Sequence, residues 1–207
     1  MPCSCHGPEI SEKGSDSSFR KVLWVALFVN LAMFFIEIVG GAEARSVSLW
    51  ADALDFAGDS ANYAISLFVL PLAVVWRSRT AMAKGLTMTV FGLVVFFKTI
   101  WSIVQGQPPE PTTMTLIGFL ALAANVSVAL ILYRYRSGDA NMRSVWLCSR
   151  NDAIGNLAVI GAATGVAFTG GIWPDIIVAF VMASLAIHSG LSIVAHARSE
   201  LRVALGT

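Results

Sequence analysis

Long apolar stretches, interrupted only by isolated polar residues, repeat along most of this 207-residue sequence. A helix needs about 20 consecutive, mostly apolar residues to cross the hydrocarbon core of a bilayer. Six stretches reach that length, and they lie near residues 22–42, 47–76, 82–104, 112–133, 144–169 and 174–195. The pattern therefore predicts an all-α integral membrane protein that folds as a bundle of six transmembrane helices.

The composition supports a membrane protein and excludes several other classes. Apolar residues make up 56% of the chain and charged residues 13%. The charged share is about half that of a typical soluble protein. This number of charges is too small to cover a water-exposed surface. Lipid is therefore an expected partner, and nucleic acid is not. The sequence contains no glycine-rich phosphate loop and no nucleophile elbow, which favours a secondary active transporter without an organic cofactor over an enzyme.

The positions of lysine and arginine predict the orientation of the bundle. Eleven of these residues fall at the two ends of the chain and in the second and fourth connections, whereas the other three connections contain only Arg45. Because cytoplasmic loops carry the excess of basic residues, both termini are predicted to lie in the cytoplasm. Residues 1–20 are predicted to form a flexible tail, 21–197 the transmembrane domain, and 198–207 a short tail. The sequence thus predicts no C-terminal cytosolic domain.

Two predicted helices carry stripes of polar residues that a lipid-facing helix would not have. The stripe on the second helix falls within an arc of about 80° and consists of Asp52, Asp55, Asp59 and Asn62. The stripe on the fifth helix repeats every fourth residue and consists of Cys148, Asp152 and Asn156. An ionisable group in the bilayer is costly unless it is paired, hydrated or bound to metal, so both stripes are expected to face the bundle interior.

Depth in the membrane brings parts of the two stripes to one level. Counted from opposite surfaces, the pairs Asp55–Asp59 and Asp152–Asn156 both lie near the bilayer midplane. Two such pairs on facing helices supply the four ligands of a tetrahedral cation site. Without metal the carboxylates would repel one another and bind protons, which links metal uptake to proton release. The alternative is that these acids only hydrogen-bond to one another or to Arg150 and hold the bundle together.

The sequence resembles the transmembrane half of the cation diffusion facilitator family of divalent metal exporters, over nearly all of residues 20–200. The resemblance rests on Asn30, Glu37, Gly41, residues 46–49, residues 51–59, Asn125, residues 152–156 and residues 173–175. It implies that the family's central metal site is formed here by Asp55, Asp59, Asp152 and Asn156. It also implies a carrier that exports Zn, Mn, Fe, Co or Cd as its substrate, in exchange for protons and by alternating access.

The chain departs from the family pattern in ways that bear on the metal and on assembly. The family usually has an aspartate at the position of Asn156, and most of its zinc-selective members have a histidine at that of Asp55 or Asp152. An all-oxygen site with one charge fewer is expected to favour harder ions such as Mn²⁺ or Fe²⁺. Because the family's usual cytosolic domain joins protomers, a homodimer is expected here to form through the transmembrane helices. The rival interpretation is a membrane subunit that senses or buffers metal without transporting it.

Other polar residues inside the stretches are candidates for the ion path, each with a structural alternative. Asn30 and Glu37 share one face of the first helix and either line the path or form a hydrogen bond between helices. Asp52 is either an exit-path carboxylate or a cap on neighbouring backbone. His188 in the sixth stretch either carries ions or protons or hydrogen-bonds within the bundle.

The N-terminal tail contains Cys3, Cys5 and His6, which are soft ligands suited to Zn²⁺ or Cu⁺. They either capture metal for the carrier or are incidental to its function. The short connections between the stretches and the compact chain indicate a bacterial inner membrane.

Overall fold

The computed structural model describes residues 17–69, 74–136 and 140–205, and all regular structure within these ranges is helical. The helices are α1 (Ser17–Glu43), α2 (Val47–Ala64), α3 (Val74–Gln105), α4 (Pro111–Tyr133), α5 (Ala140–Thr169) and α6 (Trp173–Leu205). A π-helical segment, Ile65–Val69, continues α2. The described residues confirm the all-helical fold that the apolar pattern predicts.

Five of the described helices, α1, α3, α4, α5 and α6, are long and apolar enough to cross a membrane by length and composition. Helix α2 differs because its 18 residues include three aspartates. Large apolar side chains are exposed on the outer faces of the bundle, as expected where helices meet lipid, among them Phe28, Phe35, Phe97, Trp101 and Phe168. The chain is therefore an integral membrane protein.

Helix boundaries differ from the apolar pattern at several places. The pattern extends the second stretch to 76, but α3 already begins at Val74. Helix α6 continues to Leu205, past the predicted domain end at 197, and α1 begins at Ser17 within the predicted tail. Hydropathy marks where lipid contact ends, whereas backbone hydrogen bonds continue a helix into water.

The connections α1–α2, α3–α4 and α5–α6 meet at one end of the bundle. Arg45 donates a hydrogen bond to Gln107 Oε1 at 2.7 Å, which joins the first of these connections to the second. Asp175, the third residue of α6, accepts hydrogen bonds from Ser46 Oγ at 2.7 Å and from the Val47 amide at 2.9 Å. These bonds fix the start of α2 against the start of α6.

The opposite end of the bundle holds the two ends of the described chain. Phe19 of α1 contacts Tyr135, just after α4, with ring centroids 5.0 Å apart. Ser78 near the start of α3 donates a hydrogen bond to Glu200 near the end of α6 at 2.7 Å. The basic residues described at this end include Arg20, Lys21, Arg79, Arg134, Arg136, Arg198 and Arg202. The fold thus brings to one end of the bundle the basic residues from which a cytoplasmic location of both termini is predicted.

Helices α3 and α6 cross closely at facing glycines. A Cβ atom at Gly190 would lie 2.7 Å from the Gly85 carbonyl oxygen and 2.9 Å from the Thr89 amide nitrogen. A Cβ atom at Gly85 would lie 2.8 Å from the Gly190 carbonyl oxygen. Within lipid, helix association depends on such close backbone contact because no hydrophobic effect drives it. The two glycines therefore set the spacing of α3 and α6.

Gly190→Ala is expected to destabilise the protein by about 1–3 kcal/mol, because the new methyl group meets backbone atoms that cannot move aside. Gly161→Ala on α5 is the matched control, since no described atom lies within 4 Å of a Cβ added there. Alanine at that position should stabilise the helix by roughly 0.5–1 kcal/mol. Thermal unfolding in detergent measures both variants. An unchanged Tm in Gly190→Ala would contradict the close crossing.

Glu110 caps the N-terminus of α4, outside the membrane-spanning segment. Its carboxylate accepts hydrogen bonds from the amides of Thr113 at 2.5 Å and Thr112 at 3.0 Å. These bonds lower the pKa of Glu110 from 4.5 to about 2. The cap is therefore charged over the whole physiological range of pH.

Glu110→Ala should cost about 1 kcal/mol of stability at neutral pH, because it leaves helix amides without an acceptor. Since the folded pKa lies below the unfolded value, the contribution of Glu110 is complete above about pH 4.5 and is lost as the pH falls through about 2. The Tm difference between parent and variant, measured from pH 7 to pH 2, should stay constant and then shrink. A difference that persists undiminished at pH 2 would mean that the cap does not depend on charge.

Candidate metal site

A cavity of about 520 Å³ lies between α2, α3, α5 and α6. Asp55 and Asp59 line it from α2, and Asp152 lines it from α5. Three carboxylates from the predicted metal site thus border a single cavity between these helices. The other polar residues that line it are Asn62, Lys84, Cys148, Arg150, Asn151 and Ser189.

Asp59 is held by hydrogen bonds that also join α2 to α5. Its side chain is 6% exposed, and its Oδ2 accepts a hydrogen bond from the Tyr63 hydroxyl at 3.1 Å. Tyr63 in turn forms a 2.8 Å hydrogen bond with Ser149 Oγ on α5. The carboxyl groups of Asp59 and Asp152 are close enough to interact. The two predicted stripes therefore meet across the cavity at Asp59 and Asp152.

The lining carboxylates do not converge as closely as bound metal requires. In the three described ranges, no group of three or more histidine, cysteine, aspartate or glutamate side chains is arranged to hold a metal ion. Ligands to an ion such as Zn²⁺ lie about 2 Å from it. An ion in the cavity would therefore have to draw side chains of α2 and α5 together.

Asn156, the fourth ligand that the sequence predicts, lies in a different part of the interior. It is fully buried and does not line the cavity within the described structure. Its Oδ1 accepts a hydrogen bond from Asn125 Nδ2 at 2.9 Å, and its Nδ2 donates one to Asp52 Oδ2 at 2.8 Å. Both ends of the amide are thus engaged by neighbouring helices, α4 and α2.

Asp52 connects Asn156 to Glu37 on α1. The side chains of Asp52 and Glu37 are 1% and 0% exposed, and their carboxyl groups lie within hydrogen-bonding range of each other. Neither Glu37 oxygen accepts a hydrogen bond from an N–H or O–H group of the described residues. We call Glu37, Asp52, Asn125 and Asn156 the buried polar network. It joins α1, α2, α4 and α5 beside the cavity.

The remaining residues predicted for the ion path lie away from the cavity. Asn30 is buried on α1, and its Nδ2 donates a hydrogen bond to the Ala26 carbonyl at 2.8 Å. His188 is exposed on α6. The positions of α6 that line the cavity include Val181, Leu185, Ser189 and Ile193. His188 is not among the described residues that line the cavity. Cys3, Cys5 and His6 lie outside the described residues.

Lys84 also borders the cavity, although the hydropathy pattern does not predict it there. The predicted third stretch begins at 82, which puts Lys84 at a helix end among the cytoplasmic basic residues. Because α3 begins at Val74, Lys84 instead lies ten residues into the helix, and its Nζ donates a hydrogen bond to Asn62 Oδ1 on α2. The one indication in the sequence was Asn62, a polar residue at the inner end of the α2 stripe that needs a hydrogen-bond partner.

A family profile described as the cation efflux transmembrane domain matches residues 23–75 and 74–202. The cadmium, cobalt and zinc/H(+)-K(+) antiporter of Bacillus velezensis is 27% identical over 194 residues, which cover 85% of this chain and 61% of that protein. The metal cation efflux system protein CzcD of Cupriavidus metallidurans is 25% identical over 175 residues, 79% of this chain and 55% of that protein. The zinc transporter ZitB of Pectobacterium atrosepticum is 25% identical over 205 residues, 90% and 62% respectively. The chain therefore spans less than two thirds of the length of these relatives.

Asn156→Ala is expected to destabilise the metal-free protein by about 1–3 kcal/mol, because it leaves the buried Asp52 without its amide donor. Since Asn156 does not line the cavity, the variant should keep whatever rise in Tm a divalent metal causes in the parent. Thermal unfolding with and without metal measures both effects. A variant of unchanged metal-free stability that loses the metal-dependent rise would make Asn156 a ligand instead.

Proposed function

Because this chain belongs to the cation efflux family, we propose that it exports a divalent metal ion across the membrane in exchange for protons. The observation that carries the proposal is the cavity between α2, α3, α5 and α6 that Asp55, Asp59 and Asp152 border together. Ionisable side chains inside a transmembrane bundle are costly and are retained where ions or protons pass. Relatives named as antiporters or transporters of cadmium, cobalt and zinc support a metal ion as the cargo.

Asp59 and Asp152 are the proposed central ligands, with Asp55 as the third. They come from two helices and already approach each other across the cavity. A dication between three carboxylates leaves about one negative charge, which is far less costly in lipid than three. Carboxylate oxygens favour Mn²⁺ or Fe²⁺, as the sequence predicts, whereas the Cys148 thiol on the same cavity wall favours Zn²⁺ or Cd²⁺. Which metal the site prefers therefore depends on whether the carboxylates alone or also the Cys148 thiol bind the ion.

Proton exchange follows from the proximity of Asp59 and Asp152. Two ionised carboxylates that approach each other inside the bundle repel, which favours retention of a proton by one of them. A dication that binds both groups must therefore displace that proton, and a returning proton helps to release the ion. Alternating access to the two sides of the membrane would convert this competition into exchange.

Helix α2 is the proposed sixth membrane span. It and the π-helical segment form one rod from Val47 to Val69, long enough to cross the hydrocarbon core with its aspartates turned toward neighbouring helices. The basic residues at the ends of α1, α4 and α6 then lie on the cytoplasmic side, in a bacterial inner membrane. Metal leaves the cytoplasm in this orientation.

Reconstitution of the protein into liposomes tests the proposal. Asp59→Asn keeps the side-chain shape and can accept the Tyr63 hydrogen bond, but it removes the charge that the metal needs. Zn²⁺ flux driven by an imposed pH gradient should fall at least about tenfold in this variant. Glu43→Gln is the matched control, since it removes an exposed carboxylate at the end of α1, and it should keep parental flux.

The rival function, a subunit that only senses or buffers metal, gives a different result in the same liposomes. A buffer takes up metal in a fixed ratio to protein, whereas a carrier turns over many times. Saturation at one or two ions per chain would contradict export. Flux that does not respond to the pH gradient would contradict proton exchange.

A further inference from the structure

We propose that Lys84 is an internal counter-ion of the metal site, whose ammonium group occupies the cavity in the metal-free protein and weakens metal binding. The inference rests on the proposed function, because it takes Asp59 and Asp152 as metal-binding acids. In this role, Lys84 sets how tightly the site holds the ion and so how readily the ion is released.

The position of Lys84 carries the inference. Helix α3 contributes no acid to the cavity lining, and Lys84 is the charged residue it contributes. The Lys84 ammonium group is anchored on α2 by its hydrogen bond to Asn62 Oδ1. Asn62 follows Asp59 by three residues, so the two side chains lie one turn apart on the same face of α2. The positive charge of Lys84 also acts directly on Asp59.

Arg150, the other basic residue of the lining, is differently placed. It is exposed, its guanidinium lies over the Trp146 ring at 5.3 Å, and it donates a hydrogen bond to the adjacent Asn151. These contacts keep it on α5, whereas Lys84 reaches from α3 to the aspartate stripe on α2. Of these two basic lining residues, Lys84 is thus the one that bonds to the helix carrying Asp59.

The charge of Lys84 has a predictable effect on a dication that enters the cavity. Like charges a few ångströms apart repel strongly inside a protein, even with partial screening. The incoming ion must therefore push the ammonium group away from Asp59 or bind beside it, and either event lowers affinity. When the ion leaves, Lys84 returns and neutralises part of the acidic charge. Binding that is favourable but not too tight is what a transport site requires.

Zn²⁺ titration of the full chain in detergent, followed by calorimetry, tests this role. Lys84→Met keeps a side chain of similar length without the charge and should bind Zn²⁺ at least about tenfold more tightly than the parent. Lys84→Arg keeps the charge and should stay within about threefold of the parent. Structural damage would weaken binding, so a gain of affinity is specific to the counter-ion role. Lys84→Gln provides a second neutral variant if Lys84→Met does not fold.

The outcomes separate this inference from the proposed function. Affinity in the neutral variants that equals or falls below that of the parent overturns the role of Lys84, as does Lys84→Arg behaving like Lys84→Met. Absence of measurable Zn²⁺ binding in both parent and neutral variants overturns it too. If Asp59→Asn loses Zn²⁺ binding while the Lys84 variants match the parent, only the counter-ion role fails. If Asp59→Asn binds as the parent does, the metal site of the proposed function fails.

Discussion

Carboxylates cannot lie in lipid without partners, and α2 carries three of them through the centre of the bundle. Each is accommodated differently. Asp52 accepts a hydrogen bond from Asn156 and faces Glu37 in a region closed to solvent. Asp59 accepts one from Tyr63 and approaches Asp152, while Asp55 lines the cavity. Helix α2 therefore contacts α1, α3, α5 and α6, and the arrangement of those helices follows from the need to surround it.

Two polar regions of different character result, offset by about one helical turn. The buried polar network is closed to solvent, and its amides join α2, α4 and α5. The cavity has open volume and basic as well as acidic lining residues, so its charge can change with its occupant. A carrier needs both kinds of region, because some contacts must persist while the helices around the ion rearrange. The close glycine crossing of α3 and α6 adds a second fixed pair on the far side of the cavity.

Periodicity predicted the helices and the two facing stripes, and three of the ligands proposed from it, Asp55, Asp59 and Asp152, line one cavity. It did not predict where Asn156 lies. Spacing of four residues fixes the side of α5 but not the rotation of the neighbouring helices, and one turn is enough to move a side chain from the cavity to Asn125 and Asp52. Lys84 was missed for a related reason, since hydropathy does not mark the true start of α3. The positions of Asn156 and Lys84 both depend on contacts between helices, and the pattern of a single helix carries no information about those contacts.

The hydrogen bonds of Asn156 explain why an amide lies at this position, whereas the charge of a metal site does not explain it. An asparagine side chain both donates and accepts, so it can bridge the Asn125 donor and the Asp52 acceptor at once. An ionised carboxylate there could only accept, which would leave Asp52 without its donor and place two negative charges side by side in a dry interior. The departure from the family pattern is therefore compatible with an unchanged cavity. At the proposed metal site, the charge that an ion would meet is then determined by Asp55, Asp59 and Asp152, together with the basic residues that line the same space.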